Sequence, residues 1–213
     1  MVLFLTAKAN AQKTETGNWF QYFGNQKINS QWNWHNEVQY RSYNFAGELD
    51  QLLLRTGIGY DLSESNNTIL LGYAYIYSKP YIAGTDEKSK TNEHRIFQQF
   101  ITKQKFGRVN IQHRYRFEQR FVEDDFKMRA RYSLSLNVPI NKKEMEKNAF
   151  YLSASNEIFI NTEADYFDRD RVYGGVGYCF NKDLKVEAGV MSQIQENSNR
   201  TQFMIQFFNN LPF

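Results

Sequence analysis

The chain has 213 residues, a formal net charge of +3 and a single cysteine, Cys179. So small a charge gives no reason to expect a nucleic-acid partner, and one cysteine allows neither an intrachain disulfide nor a cysteine metal cluster. The mean hydropathy is −0.66, and no stretch approaches the ~20 apolar residues that a membrane helix needs, so a helical membrane protein is excluded.

The N-terminal residues have features of an export signal. Residues 1–7 are mostly apolar, and Ala9-Asn10-Ala11 has the small-x-small form of a cleavage site. The basic segment that opens such signals is missing and the apolar part is short, so we expect this signal to be incomplete. We expect a signal peptide over residues 1–11 and one barrel domain over residues 12–213.

The rest of the chain predicts a series of β-strands, because apolar and polar residues alternate and successive side chains of a strand point to opposite faces. The candidate strands are residues 19–26, 31–43, 51–62, 68–77, 93–105, 109–121, 126–138, 150–160, 171–180, 185–194 and 201–209. Single-chain bacterial barrels have an even number of strands. We therefore expect 10 or 12 strands. The short first segment, residues 19–26, is the weakest of the eleven assignments.

Alternation is strongest over residues 109–138, where the polar side is rich in arginine. Each of the two runs there has about thirteen residues, against roughly five or six in a typical globular strand. We expect Tyr115, Phe117, Phe126, Met128, Tyr132 and Leu134 to face outward, and Arg114, Arg116, Arg129 and Arg131 to face inward. Strands of this kind suit a wall with lipid outside and water inside. The predicted fold is a single all-β, antiparallel, up-and-down transmembrane barrel.

The connections predict which strand ends share a side of the barrel. Residues 80–92, 161–170 and 196–200 are polar and would be extracellular loops, whereas Gly107 and residues 181–183 would make tight periplasmic turns. The charged segment 141–148 is long for a periplasmic turn and would be a short helix or a charged hairpin. No linker or break in composition divides the chain.

The C-terminal segment carries a second membrane signal. Phe203, Ile205, Phe207, Leu211 and Phe213 lie on one parity of the predicted last strand. An alternating last strand with a terminal aromatic residue resembles the signal that is read by the outer-membrane barrel-assembly machinery. We therefore expect that machinery and outer-membrane lipid as partners, in a Gram-negative bacterium.

Charged residues of one parity define a candidate site inside the barrel. They are Glu37, Arg41, Arg55, Arg95, Arg114, Arg116, Glu118, Arg120, Arg129, Arg131, Glu157 and Arg171, with Lys127 and Glu187 beside them. The planar fork of arginine binds carboxylate or phosphate through two hydrogen bonds. The residues would either crosslink the wall as an ion-pair network or form an electropositive lumen that admits or holds anions. Barrels of about eight strands are filled by side chains and larger ones open a channel, so 10 or 12 strands leave both readings open.

An enzyme would need a nucleophile beside a base, commonly serine with histidine. His35, His94 and His113 form no recognisable serine pair, although His94 would lie near the extracellular rim. Three histidines without suitable spacing give no reason to expect a metal, and we expect no cofactor. The glycines of the 174–177 run would mark a bend or a tight approach rather than a phosphate loop.

Several motifs resemble the outer-membrane family known as domain of unknown function 2490. They are Trp19, the turn from Lys27 to Trp32, Glu37 with Arg41, Gly72-Tyr73-Ala74-Tyr75, Glu93-His94-Arg95, Gln98-Gln99, Arg114-Tyr115-Arg116-Phe117-Glu118-Gln119-Arg120-Phe121 and Arg129-Ala130-Arg131-Tyr132. The resemblance covers most of the mature chain. It implies a small outer-membrane barrel of uncharacterised activity, and it carries over no catalytic residue.

Three hypotheses for function follow. The leading one is a non-enzymatic barrel that contributes to the envelope or passes small, anionic solutes. The second is a lipid-modifying barrel enzyme that uses rim residues such as His94. The third is a soluble exported β-barrel that binds an apolar ligand. Membrane fractionation separates the third from the others, and conductance in planar bilayers separates the first from the second.

Overall fold

A computed structural model describes residues 16–45, 47–63, 66–82, 84–163 and 165–212 of the chain. The described residues form a closed barrel of 11 β-strands. The strands are β1 (Gly17–Lys27), β2 (Trp32–Ser42), β3 (Leu49–Asp61), β4 (Asn67–Ser78), β5 (Thr91–Phe106), β6 (Val109–Val122), β7 (Asp125–Pro139), β8 (Phe150–Asn161), β9 (Phe167–Cys179), β10 (Leu184–Gln195) and β11 (Ser198–Asn209). The described residues include no helix that is long and apolar enough to cross a membrane. The expected signal peptide lies outside the described residues.

Closure of the barrel corrects the predicted strand count. Each strand pairs antiparallel with the next, but β1 and β11 pair in parallel, from Gly17 opposite Gln202 to Gly24 opposite Asn209. The prediction of 10 or 12 strands is therefore wrong. An even number is required only when the closing pair is antiparallel, and a parallel ladder satisfies the backbone groups of both edges as well. The short first segment is a full strand of 11 residues.

The strand ends form two rims. We call the rim where β1 begins the first rim; it carries the connections 43–48, 79–90, 123–124, 162–166 and 196–197. The second rim carries the connections 28–31, 62–66, 107–108, 140–149 and 180–183. The predicted grouping of loops is confirmed, although the last expected loop is a tight turn that joins Gln195 to Ser198. Within 140–149 the chain forms turns and bends and no helix.

The two faces of the wall differ as the alternation predicted. Tyr115 and Phe117 are exposed on the outside of β6, and Phe203 is exposed on the outside of β11. On the inside, Arg116 and Arg129 are buried. The predicted orientation of residues 109–138 is therefore confirmed.

Two inward rings lie against glycines of the neighbouring strand. A Cβ atom at Gly72 would overlap the ring of Phe97, and a Cβ atom at Gly177 would overlap the ring of Tyr151. Both rings are fully buried. The glycines therefore let large side chains lie against the wall, as aromatic rings do over strand glycines elsewhere. The reading of the 174–177 run as a tight approach is confirmed at Gly177, whereas Gly174 faces open space.

Candidate functional site

An ion-pair cluster centred on Glu118 occupies the interior. Its carboxylate accepts hydrogen bonds at 2.6 Å from Nη2 of Arg129 and from Nη1 of Arg131. Arg129 lies directly opposite Glu118 in the β6–β7 ladder, and Arg131 is two residues further on the same face. Guanidinium nitrogens of Arg95 and Arg116 lie 3.7 Å from the carboxylate oxygens. Four guanidinium groups therefore surround one carboxylate.

A second carboxylate, Glu157, joins the cluster from β8. Its Oε1 atom is 2.6 Å from Nη2 of Arg114 and 2.7 Å from Nη2 of Arg131. Arg131 is thus shared between Glu118 and Glu157. Glu157 therefore connects β8 to arginines of both β6 and β7.

Glu93 and Asp168 also belong to the cluster, although the sequence reasoning missed both. Glu93 binds Arg95 at 2.6 Å and Arg120 at 2.5 Å, and Asp168 binds Arg129 at 2.7 Å. Glu93 is two residues before Arg95 on β5, so alternation alone would have assigned Glu93 to the interior with Arg95. Asp168 precedes the predicted strand, and a bulge at Phe159/Ile160 in the β8–β9 ladder breaks the parity there. No simple alternation could therefore assign Asp168 to the interior.

A second ion pair lies between β2 and β3. Arg55 donates from Nη1 to Oε1 of Glu37, its direct partner in the ladder. Glu37 also accepts a hydrogen bond from Gln39, and its other oxygen lies 3.4 Å from Nε2 of His35. Arg41 donates to Gln39 and Gln51 instead of to a carboxylate. Glu37 thus holds Arg55, while Arg41 has neutral partners.

Glu187 has a different environment from the other interior carboxylates. It accepts hydrogen bonds from the hydroxyl of Tyr151 at 2.9 Å and from that of Tyr173 at 3.4 Å. Glu187 therefore binds phenol hydroxyls, and no arginine of the described residues pairs with it. Lys127 lies at the first rim, where it pairs with Asp125 and is half exposed.

Several interior arginines stack on aromatic rings inside the barrel. The guanidinium carbons of Arg131 and Arg171 lie 4.4 and 4.6 Å from the ring centroid of Phe159. That of Arg116 lies 4.6 Å from the ring of Phe97. Such contacts stabilise a cation where water is excluded. The sequence reasoning assigned aromatic residues to the outside alone, although Phe159 shares its parity with Glu157.

Side chains close the interior at the level of this cluster. Glu118, Arg129 and Arg116 have 0, 3 and 4% of their surface exposed. A water-filled passage would leave these side chains accessible to water. The interior is therefore packed with side chains at this level, as in small barrels.

The three histidines lie apart from one another, two on the outer face and one inside. His94 lies on the outer face with its Nδ1 atom 2.5 Å from the hydroxyl of Tyr73, and His113 lies on the outer face 2.9 Å from the hydroxyl of Tyr132. His35 faces inward beside Glu37. Within the described part of the chain, no three histidine, cysteine, aspartate or glutamate side chains are placed to hold a metal ion.

Fold and site together define a small closed β-barrel with an ion-paired interior. The family model called protein of unknown function (DUF2490) matches residues 16–204, and the chain belongs to that family. The chain is also similar to an uncharacterized protein of Methylorubrum extorquens, with 30% identity over 167 residues, which cover 74% of this chain and 69% of that protein. No solved structure matches the chain.

Proposed function

We propose that the protein is an outer-membrane barrel of a Gram-negative bacterium, a non-enzymatic envelope component whose ion-paired interior is closed in this conformation. The observation that carries the proposal is the inversion of the two faces. Charged side chains are buried inside, and large apolar side chains are exposed outside. A soluble protein arranges these residues the other way round, whereas a barrel in lipid needs this arrangement.

The exposed apolar side chains form a belt around the whole barrel, because every strand contributes to it. One member per strand, in chain order, is Phe20, Val38, Leu54, Leu71, Ile96, Phe117, Phe126, Leu152, Val172, Val190 and Phe203. A protein-docking patch would occupy one side of a surface rather than encircle it. A belt of this kind fits the hydrocarbon layer of a membrane.

Aromatic pairs near both rims support the same proposal. Trp32 packs on Tyr60 near the second rim, with ring centroids 4.9 Å apart. Phe121 packs on Phe126 beside the turn at the first rim, with centroids 5.2 Å apart. Aromatic residues concentrate where a membrane meets water, and barrels carry such girdles at both levels.

The buried cluster argues against an open pore and against an apolar ligand inside. The interior at Glu118 is packed and charged, so solutes have no free path there, and an apolar ligand would meet unfavourable contacts. Passage of small anions is the second candidate, because arginines outnumber the carboxylates in the cluster. It would require the cluster to rearrange. A lipid-modifying enzyme gains no support, since His94 contacts a tyrosine hydroxyl on the outer face.

Thiol labelling in intact outer membranes tests the membrane proposal. Cys179, the native cysteine, is buried and would be replaced by alanine to give a cysteine-free parent. In that parent, Leu71→Cys lies in the apolar belt and Thr85→Cys lies in a first-rim connection. We expect an aqueous maleimide to label Thr85→Cys at least tenfold faster than Leu71→Cys. Equal labelling rates, or recovery of the parent in the soluble fraction, would overturn the proposal.

Conductance tests the closed interior. In planar bilayers, the purified wild-type barrel should give no steady ionic current, because the cluster fills the lumen. Discrete anion-selective steps would instead support the second candidate. Heat-modifiable mobility on gels serves as the control, because it shows that the protein added to the bilayer is a folded barrel.

A further inference from the structure

Two interior arginines, Arg41 and Arg171, have no carboxylate partner. Arg41 donates to Oε1 of Gln39 and to Oε1 of Gln51, and Arg171 donates to Oε1 of Gln193. Among the described residues, no carboxylate oxygen lies within 4.0 Å of either guanidinium group. Neither guanidinium group is therefore matched by an ion pair at that distance, although both lie inside the barrel.

The neutral partners stand at positions where a glutamate would have formed ion pairs. Gln51 is directly opposite Arg41 in the β2–β3 ladder, and Gln193 is directly opposite Arg171 in the β9–β10 ladder. Glu37 occupies the equivalent place opposite Arg55. Glu157 is directly opposite Arg171 in the β8–β9 ladder, but its Oε1 atom binds Arg114 and Arg131 instead. Glutamine has the same shape as glutamate without its charge, so Gln51 and Gln193 leave Arg41 and Arg171 without an ion pair.

Trp19 holds the two charges near each other. The guanidinium carbon of Arg41 lies 3.7 Å from the centre of the indole ring, and that of Arg171 lies 4.9 Å from it. The two charges are thus no more than about 9 Å apart, and like charges at that distance repel when water is scarce. A guanidinium group that is stacked on a ring still presents its N–H edge to a ligand.

Unpartnered donors lie in the same part of the barrel. Nε1 of Trp19 and Nε2 of Gln202 are buried without a hydrogen-bond partner, and so is Nη2 of Arg200. A Cβ atom at Gly17 would lie 3.1 Å from that Nη2 atom and 2.5 Å from Oε1 of Gln202, so the two side chains are neighbours. Buried donors without a partner cost free energy unless a ligand or water satisfies them. The side chain of Arg200 is 29% exposed and binds Asp50 at 2.9 Å, and Arg200 lies near the start of β11 at the first rim.

We propose that Trp19, Arg41 and Arg171 form a binding site for an oxyanion, the phosphate or carboxylate group of a small solute that enters from the first rim. Two guanidinium groups supply positive charge, and the buried indole N–H of Trp19 supplies a donor that has no partner in the structure. The site goes beyond the proposed function, because it needs the interior of the barrel and does not depend on lipid around it. A bound oxyanion would neutralise the uncompensated charge without disturbing the Glu118 cluster.

Fluorescence of Trp19 reports on the site directly. Trp32→Phe and Trp34→Phe leave Trp19 as the single tryptophan of a detergent-solubilised barrel. Inorganic phosphate and acetate would be titrated separately, with chloride to keep the ionic strength constant. We expect a saturable fluorescence change with at least one of them. In Arg41→Gln and Arg171→Gln, binding should weaken at least tenfold, whereas Arg108→Gln, which removes an exposed cation at the second rim, should bind as the parent does.

Gln51→Glu and Gln193→Glu form a second test that does not require loss of an arginine. Each supplies an internal carboxylate to Arg41 or Arg171, so the double variant should lose the anion response and melt at a higher temperature than the parent. An unchanged response in the folded glutamate variants would overturn the proposal, and so would the lack of a saturable response to both anions in the parent. Neither result bears on membrane insertion, which thiol labelling measures separately.

Discussion

Replacing Glu118 by glutamine removes a negative charge from the middle of the barrel and leaves the shape of the side chain unchanged. Glu118 is fully buried and lies within 3.7 Å of guanidinium nitrogens from Arg95, Arg116, Arg129 and Arg131. Four cations would then share the remaining carboxylates. We expect the variant to fold and to be markedly less stable than wild type.

The magnitude follows from which arginines keep another partner. Removing one member of a buried ion pair costs roughly 3–5 kcal/mol. Arg131 retains Glu157 and Arg129 retains Asp168, so the loss should fall near the lower limit, about 3 kcal/mol. For a protein of this size, that corresponds to a fall in melting temperature of roughly 6–12 °C.

Heat-modifiable gel mobility and unfolding in urea measure the effect. Glu144→Gln is a matched control, because Glu144 pairs with Lys105 at the second rim, where their side chains are 59% and 42% exposed. Exposed pairs contribute about 0–1 kcal/mol. Equal stability losses in Glu118→Gln and Glu144→Gln would refute a buried structural cluster.

A double-mutant cycle with Arg116→Met tests the electrostatic cause. Arg116 lies 3.7 Å from the carboxylate of Glu118. Arg116 also donates a hydrogen bond to the amide oxygen of Gln99. In wild type, Arg116→Met should destabilise the barrel. In Glu118→Gln it should destabilise much less, because it removes a cation that has lost its partner, and the coupling should reach about 1 kcal/mol or more. Additive losses would contradict this explanation.

Two further predictions concern the wall. Gly72→Ala should destabilise the barrel by about 1–3 kcal/mol, because its methyl group would overlap the ring of Phe97; Gly174→Ala, which faces open space, should be neutral in the same urea titration. Leu134→Arg, on the outer face near the middle of β7, should cost roughly 2–4 kcal/mol in lipid, against about 0–1 kcal/mol for Ile140→Arg at the second rim. Equal costs at the two positions would show that the depth assignment is wrong.

Local alternation predicted which way most side chains point. Parity depends on neighbouring residues alone, so it placed Arg116 and Arg129 inside and Tyr115 outside correctly. It also identified Glu118 and Glu157 as interior carboxylates. The predicted segment 109–121 differs by one residue from the observed strand Val109–Val122.

Other features depend on contacts between distant parts of the chain, which alternation does not encode. The parallel pairing of Gly17 with Gln202 decides the strand count, and no local pattern reports it. A bulge in the β8–β9 ladder leaves Asp168 without a ladder partner and interrupts the parity there. Which carboxylate each arginine binds also stayed open, because a long side chain on one face can reach several neighbours. The neutral partners of Arg41 and Arg171 therefore emerged only with the three-dimensional structure.

The parallel closing pair has a consequence for reporter fusions. The chain enters β1 at the first rim and leaves β11 at the second, because both strands run the same way. In a barrel with an even number of strands, a protease site placed before the first strand and one placed after the last emerge on the same side. Here, β1 begins and β11 ends at opposite rims. In the outer-membrane location that we propose, a protease added to intact cells should therefore cut a site placed before Gly17 or one placed after Asn209, but not both.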